Sequence, residues 1–280
     1  MGSKFFSWNG YTFAEQFASS KKIRFWVAFA GLVFLLLLGF KACSHHGADI
    51  PLYVIGEDIN WTNINLMGKE RSISAFSSDL MKEIALEEGA RFRISLVQNA
   101  EILEKLESQD LDGILTALEP NVIYRNRFIF SEPYFLLGNV LVLPIEAKLS
   151  GFNEKAKKII GVNPTDTSIL QLENRSQFEL KMYDNILKAL SDVEQRRIDG
   201  AIFLALPAYI YTRTFYDKKL RVATTPLTNE GLRLMVLKGQ KGEELIKLFN
   251  EGLATSKKNG KYDQLIKNWG LVNPEKIDLL

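Results

Sequence analysis

Cysteine and histidine are almost missing from this sequence, and both are confined to its first 46 residues. The only cysteine is Cys43, and the only two histidines are His45 and His46. Residues 47–280 therefore exclude internal disulfide bonds, metal sites built on cysteine or histidine, and triads that need a histidine base. The three residues stand beside Gly47 in a short polar stretch, which favours a solvated tether over a metal site. No metal and no other cofactor is predicted.

A large excess of one charge is also absent, since the formal net charge is +2. Residues 1–46 carry five basic residues against the single acid Glu15, which leaves the remainder with a net charge of −2. The basic balance lies at the front of the chain and gives no indication of nucleic-acid binding. A composition of 46% apolar and 24% charged residues is that of a globular protein with room for two lobes.

One long apolar run stands near the start of the chain. Phe25–Phe40 contains 16 residues without a charge, slightly short for a membrane span and slightly long for a signal-peptide core. Basic residues precede it, so the amino-terminal side is expected in the cytoplasm. We predict a cytoplasmic leader over 1–24, a hydrophobic signal or anchor helix over 25–42, and a tether over 43–50.

The cysteine that follows this run leaves two alternatives open. A charged leader, an apolar core, the small residue Ala42 and then Cys43 resemble a bacterial lipoprotein signal, in which Cys43 carries the lipid. The other alternative is an uncleaved anchor with an incidental cysteine. Both place the rest of the chain on the outer side of the inner membrane.

Short apolar runs alternate with helical patterns over the rest of the chain, which predicts βαβ units and an α/β fold. We expect lobe 1 over 51–143, lobe 2 over 144–223, and a return to lobe 1 with carboxyl-terminal helices over 224–280. Two extended segments, near Val140–Pro144 and Thr224–Leu227, predict a double hinge between the lobes. A cleft between two lobes is a usual place for a small ligand.

The stretch Asp112–Tyr134 indicates where that ligand binds. A buried strand ends near Leu118, Pro120 breaks it, and Arg125 and Arg127 follow on a loop or short helix. Ligands of open α/β sheets sit at the carboxyl ends of strands. An arginine there can hold a carboxylate through two parallel hydrogen bonds.

This stretch resembles the family 3 extracellular solute-binding proteins, the polar amino-acid receptors of ABC importers. The shared motifs are Asp112-Gly113, an arginine-bearing turn, Phe130-Ser131-Glu132-Pro133-Tyr134, and a carboxyl-terminal pattern from Asn259-Gly260 to Trp269-Gly270. The resemblance implies a two-lobed type II periplasmic-binding fold with a two-segment hinge. It also implies a monomeric periplasmic receptor that hands a small solute, an amino acid, to an inner-membrane permease.

The resemblance also implies residues for the ligand site. Arg125 would grip the ligand carboxylate, although Tyr124 occupies the family's arginine position and Arg127 is the reserve. The alternative for Arg125 is a surface arginine paired with Glu119 or Glu132. Asp58 and Trp61 have the spacing of the family's acid and ligand-lining aromatic, and the alternative for Trp61 is a partly buried surface aromatic. Thr116, Asp166 and Thr167 complete the predicted site.

The second lobe lacks the acid that meets the ligand's ammonium group in the family. The corresponding position is Leu204 or Ala205, and a buried ammonium without a partner is costly. We expect Glu119 to replace the missing acid, with Asp58 and Asp166 as the other choices, unless the ligand is not a standard amino acid. The turn that carries Asp166 and Thr167 could bind a carboxylate at a helix start or serve only as an N-cap.

Two other functions remain open at this point. The first is a carboxylate-catalysed dehydratase on the same fold, with Glu119 or Asp166 as the acid. The second is a sensor or scaffold that has lost its ligand, a reading suggested by the apolar wall of the second lobe. The main prediction is a receptor without enzymatic activity.

Overall fold

Alternating strands and helices confirm the predicted α/β class. The computed structural model describes residues 50–61, 64, 66–150, 157–164, 169 and 177–276. The strands are β1 (Leu52–Asp58), β2 (Arg91–Val97), β3 (Gly113–Thr116), β4 (Phe128–Phe130), β5 (Phe135–Leu136), β6 (Asn139–Pro144), β7 (Lys158–Val162), β8 (Phe178–Met182), β9 (Gly200–Leu204), β10 (Leu220–Val222) and β11 (Gly231–Leu237). The helices are α1 (Glu70–Glu88), α2 (Asn99–Glu107), α3 (Val122–Arg125), α4 (Ile186–Glu194), α5 (Ala205–Arg213), α6 (Gln240–Lys258) and α7 (Lys261–Asn268).

Several predicted features lie outside these described residues. They are the hydrophobic segment 25–42, the lipid-bearing Cys43, and the turn residues Asp166 and Thr167. Within the described part of the chain, no helix is long and apolar enough to cross a membrane. Residues Pro51–Leu280 form one compact unit.

The first sheet has the strand order β2-β1-β3-β11-β4, and β5 also pairs with β11. Strands β1, β2 and β3 are parallel, whereas β11 runs antiparallel to β3 and β4. Apolar side chains of α1, α6 and α7 pack in one cluster against a face of this sheet. Gly89 ends α1 in a left-handed conformation, with φ 63°, which a glycine adopts at little cost.

The second sheet has the order β10-β6-β9-β7-β8. Its strand β6 pairs antiparallel with β9 and β10, although the sequence boundary at 143/144 assigns this strand to lobe 1. The boundary therefore lies before β6, because both faces of this strand pack in apolar clusters of the second sheet. Val140 and Val142 join one apolar cluster there, and Leu141 and Leu143 join another.

Two short segments connect the sheets, residues 137–138 and residues 223–230. They hydrogen-bond to each other, since the Leu137 and Gly138 N–H groups both donate to the Glu230 carbonyl, at 2.9 Å and 3.1 Å. The Leu227 N–H also donates to the carbonyl of Asn139, the first residue of β6, at 2.6 Å. A Cβ added at Gly138 would lie 2.3 Å from the Thr228 carbonyl oxygen. The close approach of the two connections therefore requires glycine at that position.

Candidate functional site

The carboxyl ends of β1 and β3 form one side of a small pocket of about 180 Å³. These strands are parallel, so their last residues meet at one edge of the first sheet. The start of α2 and the short helix α3 complete the pocket. Its polar and aromatic lining residues are Asp58, Trp61, Asn99, Thr116 and Tyr124. The structure thus brings Asp58, Trp61 and Thr116 together, as the sequence predicts for a ligand site.

The buried carboxylate of Glu57 holds the indole ring of Trp61 in place. Its indole Nε1 donates to Glu57 Oε1 at 3.1 Å and lies 3.2 Å from Ser74 Oγ. The side chain is only 3% exposed and belongs to the apolar cluster of the first sheet, so it is not a surface aromatic. Its φ of 50° is unusual for a residue other than glycine, and such strain is often found at functional sites.

Glu57 carries a strongly perturbed carboxyl group. Burial raises the pKa of Glu57 to about 7, against the hydrogen bonds of Ser74 and Trp61, which lower it. Its Oε2 has no hydrogen-bond partner among the described residues. Removal from water disfavours the charged form of a carboxyl group, and these hydrogen bonds only partly compensate. The position of Trp61 therefore depends on a group that titrates near neutral pH.

Local hydrogen bonds shape the turn that leaves β3. Thr116 Oγ1 accepts from the Leu118 N–H at 3.1 Å, and Asn121 Oδ1 accepts from the Tyr124 N–H at 3.0 Å as the N-cap of α3. At the end of the neighbouring strand β1, Asp58 Oδ1 accepts from the Asn60 N–H at 3.1 Å. Asparagine is a strong N-cap because its side-chain oxygen satisfies a free N–H of the first turn. The N-cap thus anchors the backbone of Tyr124, which lines the pocket.

A second and larger cavity, of about 740 Å³, lies beyond the same turn. Leu118 lines the first pocket, whereas Glu119 and Pro120 line the second. The charged lining residues of this cavity are Glu119, Arg125, Glu132, Glu230, Arg233 and Lys238. The structure therefore divides the predicted site residues, because Glu119 and Arg125 do not share the pocket of Trp61.

The two arginines proposed from the sequence are exposed and differently engaged. Arg125 donates from Nε to the Pro120 carbonyl at 2.6 Å. Arg127 pairs with Glu107 at 2.8 Å, and it does not line either pocket. Tyr124 occupies the pocket at the position where the resembled family has arginine. The carboxylate-binding residue predicted from the sequence is thus not beside Trp61.

Glu119 is the acid that the sequence favours as the ammonium partner. Its Oε1 accepts from the Gly231 N–H at 3.3 Å. Burial raises the pKa of the Glu119 carboxyl, while this hydrogen bond and the charge of Arg233 lower it. Glu119 and Arg125 line one cavity, so a zwitterionic head group has both charges available there.

The second sheet presents an apolar residue at the position that is acidic in the resembled family. Leu204 ends β9, is 41% exposed, and stands as the N-cap of α5 without a side-chain cap. Ala205 is fully buried. This side of the molecule therefore offers a leucine, and no carboxylate, at that position.

Arg233 is a site residue that the sequence analysis missed. It lies in β11, within the otherwise apolar run Gly231–Leu237, and is only 5% exposed. A single charged residue in a buried strand was the available signal, because arginine is almost never fully buried unless it is paired. The apolar pattern predicts the strand, and Arg233 is the one charged residue in it.

The two sheets and their paired connections define the type II periplasmic-binding fold. A solved structure that shares this fold is the L-cystine solute receptor of Neisseria gonorrhoeae in its unliganded open conformation. It has 17% identity and a TM-score of 0.60, over 81% of this chain and 96% of that chain. The chain belongs to the bacterial extracellular solute-binding proteins, family 3, which it matches over residues 53–272. It is therefore a solute-binding protein.

Two curated relatives are similar over most of their length. A probable histidine-binding protein of Neisseria gonorrhoeae is 21% identical over 243 residues, which cover 81% of this chain and 89% of the relative. The ABC transporter glutamine-binding protein GlnH of Bacillus subtilis is 23% identical over 202 residues, which cover 70% and 72%. Both relatives are named as amino-acid-binding proteins, and the second is named as part of an ABC transporter.

Proposed function

We propose that this chain captures a small polar solute, an amino acid, at the carboxyl edge of the first sheet and delivers it to an ABC permease. The observation that carries the proposal is the pocket that joins Asp58, Trp61 and Thr116 at the ends of parallel strands. Polar groups converge there on a concave surface with an aromatic wall, as small-ligand sites require. The larger cavity with Glu119 and Arg125 adjoins it along the same turn and supplies charges for the solute's head group.

Capture requires the two sheets to close on the solute. The two connections, residues 137–138 and 223–230, are the segments where such a rotation would be absorbed. The solute stabilises the closed form through contacts that it makes only there. Because Leu204 is apolar, the lobe of the second sheet contacts the apolar part of the solute. The lobe of the first sheet then binds the charged head group.

We also propose that the receptor acts without catalysis, as a monomer tethered on the periplasmic side of the inner membrane. The family and the relatives are solute-binding proteins, which supports this view over a dehydratase that uses Glu119 or Asp166. The tether is lipid on Cys43 or an uncleaved segment 25–42.

Replacing Tyr124 with alanine tests the smaller pocket. We expect the dissociation constant of any amino acid bound by the purified full chain to rise about tenfold, since an aromatic contact contributes roughly 0.5–1.5 kcal/mol beyond its buried area. Val122→Ala is the matched control, because Val122 lies on the same helix, is 80% exposed, and does not line the pocket. Equal affinities of the Tyr124→Ala and Val122→Ala proteins would remove this pocket from the binding site.

Mass spectrometry of membrane-extracted protein tests the tether. If Cys43 is the lipid attachment site, the mature protein should begin at Cys43 and carry acyl mass, and Cys43→Ser should abolish that species. An intact chain that begins at Met1 would instead establish the uncleaved segment as the anchor.

A further inference from the structure

We propose that Arg233 forms a carboxylate-binding subsite and holds the carboxylate of the captured solute, the role that the sequence assigns to Arg125. The inference rests on the proposed function and identifies the residue that selects for an acid group. Arg233 lies on β11, and the large cavity of about 740 Å³ is lined by its side chain.

The guanidinium of Arg233 is held in place by backbone carbonyls. Nη1 donates to the Ser131 carbonyl at 2.9 Å, and Nη2 donates to the Asn229 carbonyl at 2.6 Å. The Nε–H is buried and has no partner among the described residues. A buried donor without a partner is unfavourable. A ligand oxygen that accepts from Nε–H would therefore remove a free-energy cost that the protein carries without the ligand. A carboxylate oxygen is the charge-matched acceptor for this donor.

The strand register places Arg233 next to the predicted site. Arg233 is paired with Thr116 across the antiparallel β3–β11 ladder. Directly paired residues point to the same face of a sheet, with Cβ atoms roughly 4.5–5.5 Å apart. Arg233 therefore begins one strand away from Thr116, which lines the pocket of Trp61. A solute that places its side chain in that pocket and extends across the turn would bring its head group to Arg233.

The surrounding charges favour a zwitterion over a simple anion. Arg125 and Lys238 line the cavity with Arg233, but so do the carboxyl groups of Glu119, Glu132 and Glu230. A ligand with one carboxylate and one ammonium group finds partners of both signs, whereas a phosphate meets the carboxyl groups at its edges. Arg233 is the buried cation of this set and Arg125 is exposed, so water competes less for Arg233.

Arg233 also has a structural role that the test must separate from binding. Its two hydrogen bonds connect the end of β4 to the linker 223–230. Loss of that connection would weaken binding of every ligand alike. Loss of a carboxylate subsite would instead remove the preference for an acid over its neutral amide.

The test compares propionate with propionamide on the full-length protein at matched ionic strength, using the thermal unfolding midpoint. We expect propionate to raise the midpoint and propionamide to leave it unchanged. The difference should disappear in Arg233→Met, which keeps most of the side-chain volume, and persist in Arg127→Gln, at an exposed arginine that does not line the cavity. If Arg233→Met does not fold, Arg233→Lys decides, and its apparent affinity for propionate should be at least about tenfold weaker.

Two results would overturn the subsite: no midpoint shift with propionate in the wild-type protein, or the same shift after replacement of Arg233.

The same variants are then titrated with L-glutamine and L-glutamine amide. An unchanged preference for L-glutamine in Arg233→Met refutes the subsite and leaves amino-acid capture standing. Propionate binding that requires Arg233, in a protein that binds no amino acid, refutes capture and leaves the subsite standing.

Discussion

Replacing Phe76 with alanine should lower the free energy of unfolding by about 3–5 kcal/mol, the usual cost of deleting a buried phenylalanine ring. Phe76 is fully buried on α1 and packs edge-on against Phe135 and Tyr262, with ring centroids 5.9 Å and 5.5 Å away. The Tyr262 hydroxyl donates to the Tyr134 carbonyl at 2.8 Å. The cavity left by alanine would therefore separate α1, β5 and α7, which pack together through these rings.

Chemical denaturation of the purified full chain measures this loss. Leu86→Ala is the matched control, because Leu86 lies on the same helix and is 81% exposed, so its replacement should change stability by less than about 0.5 kcal/mol. A loss below about 1 kcal/mol for Phe76→Ala would show that the aromatic cluster does not hold these elements together.

The Glu57 carboxyl should make the protein less stable as the pH rises through neutrality. Its pKa is about 7 in the folded protein, above the usual value of 4.5. A group with a raised folded pKa contributes stability that is complete below the unfolded pKa and is lost as the pH passes the folded pKa. Between about pH 4.5 and pH 8 this group should therefore remove about 3 kcal/mol, at 1.36 kcal/mol per pKa unit.

The measurement is the free energy of unfolding against pH for the wild-type protein and Glu57→Gln. Glutamine keeps an oxygen for the Trp61 indole but does not titrate, so the stability difference between the two proteins should change with pH by that amount. Glu104→Gln, at an exposed acid of α2, should leave the wild-type slope nearly intact. Parallel slopes for the wild-type protein and Glu57→Gln would show that Glu57 is not a buried titrating group.

Most of the fold could be predicted because strand and helix patterns alternate clearly along the chain. The short strands β4 and β5 are not predicted as strands, and β6 is assigned to the wrong lobe because its residues are apolar on both faces. A continuous apolar run identifies a buried strand but not the sheet that contains it. Pairing of Val140 and Val142 with β9 depends on contacts about 60 residues away, which local pattern does not report.

The site was predicted in part. The resemblance implies Asp58, through its spacing from Trp61, and Thr116, and both line the pocket at the carboxyl ends of β1 and β3. Glu57 adjoins Asp58 and looks equally solvated in the sequence, yet it is fully buried under Trp61. The resemblance points to the arginine-bearing turn with Arg125, whereas the burial of Arg233 emerges only from the pairing of β11 with β3 and β4.

Direct calorimetric titration of the full chain with L-histidine, L-glutamine, L-arginine and L-cystine tests the central claim. We expect saturable binding of at least one of them, at one site per chain, with weaker binding in Tyr124→Ala. The analogue that lacks the amino group should bind more weakly if Glu119 replaces the missing acid of the second half, and Glu119→Gln should reduce that difference. Absence of binding for all four amino acids would contradict the claim that this receptor captures an amino acid.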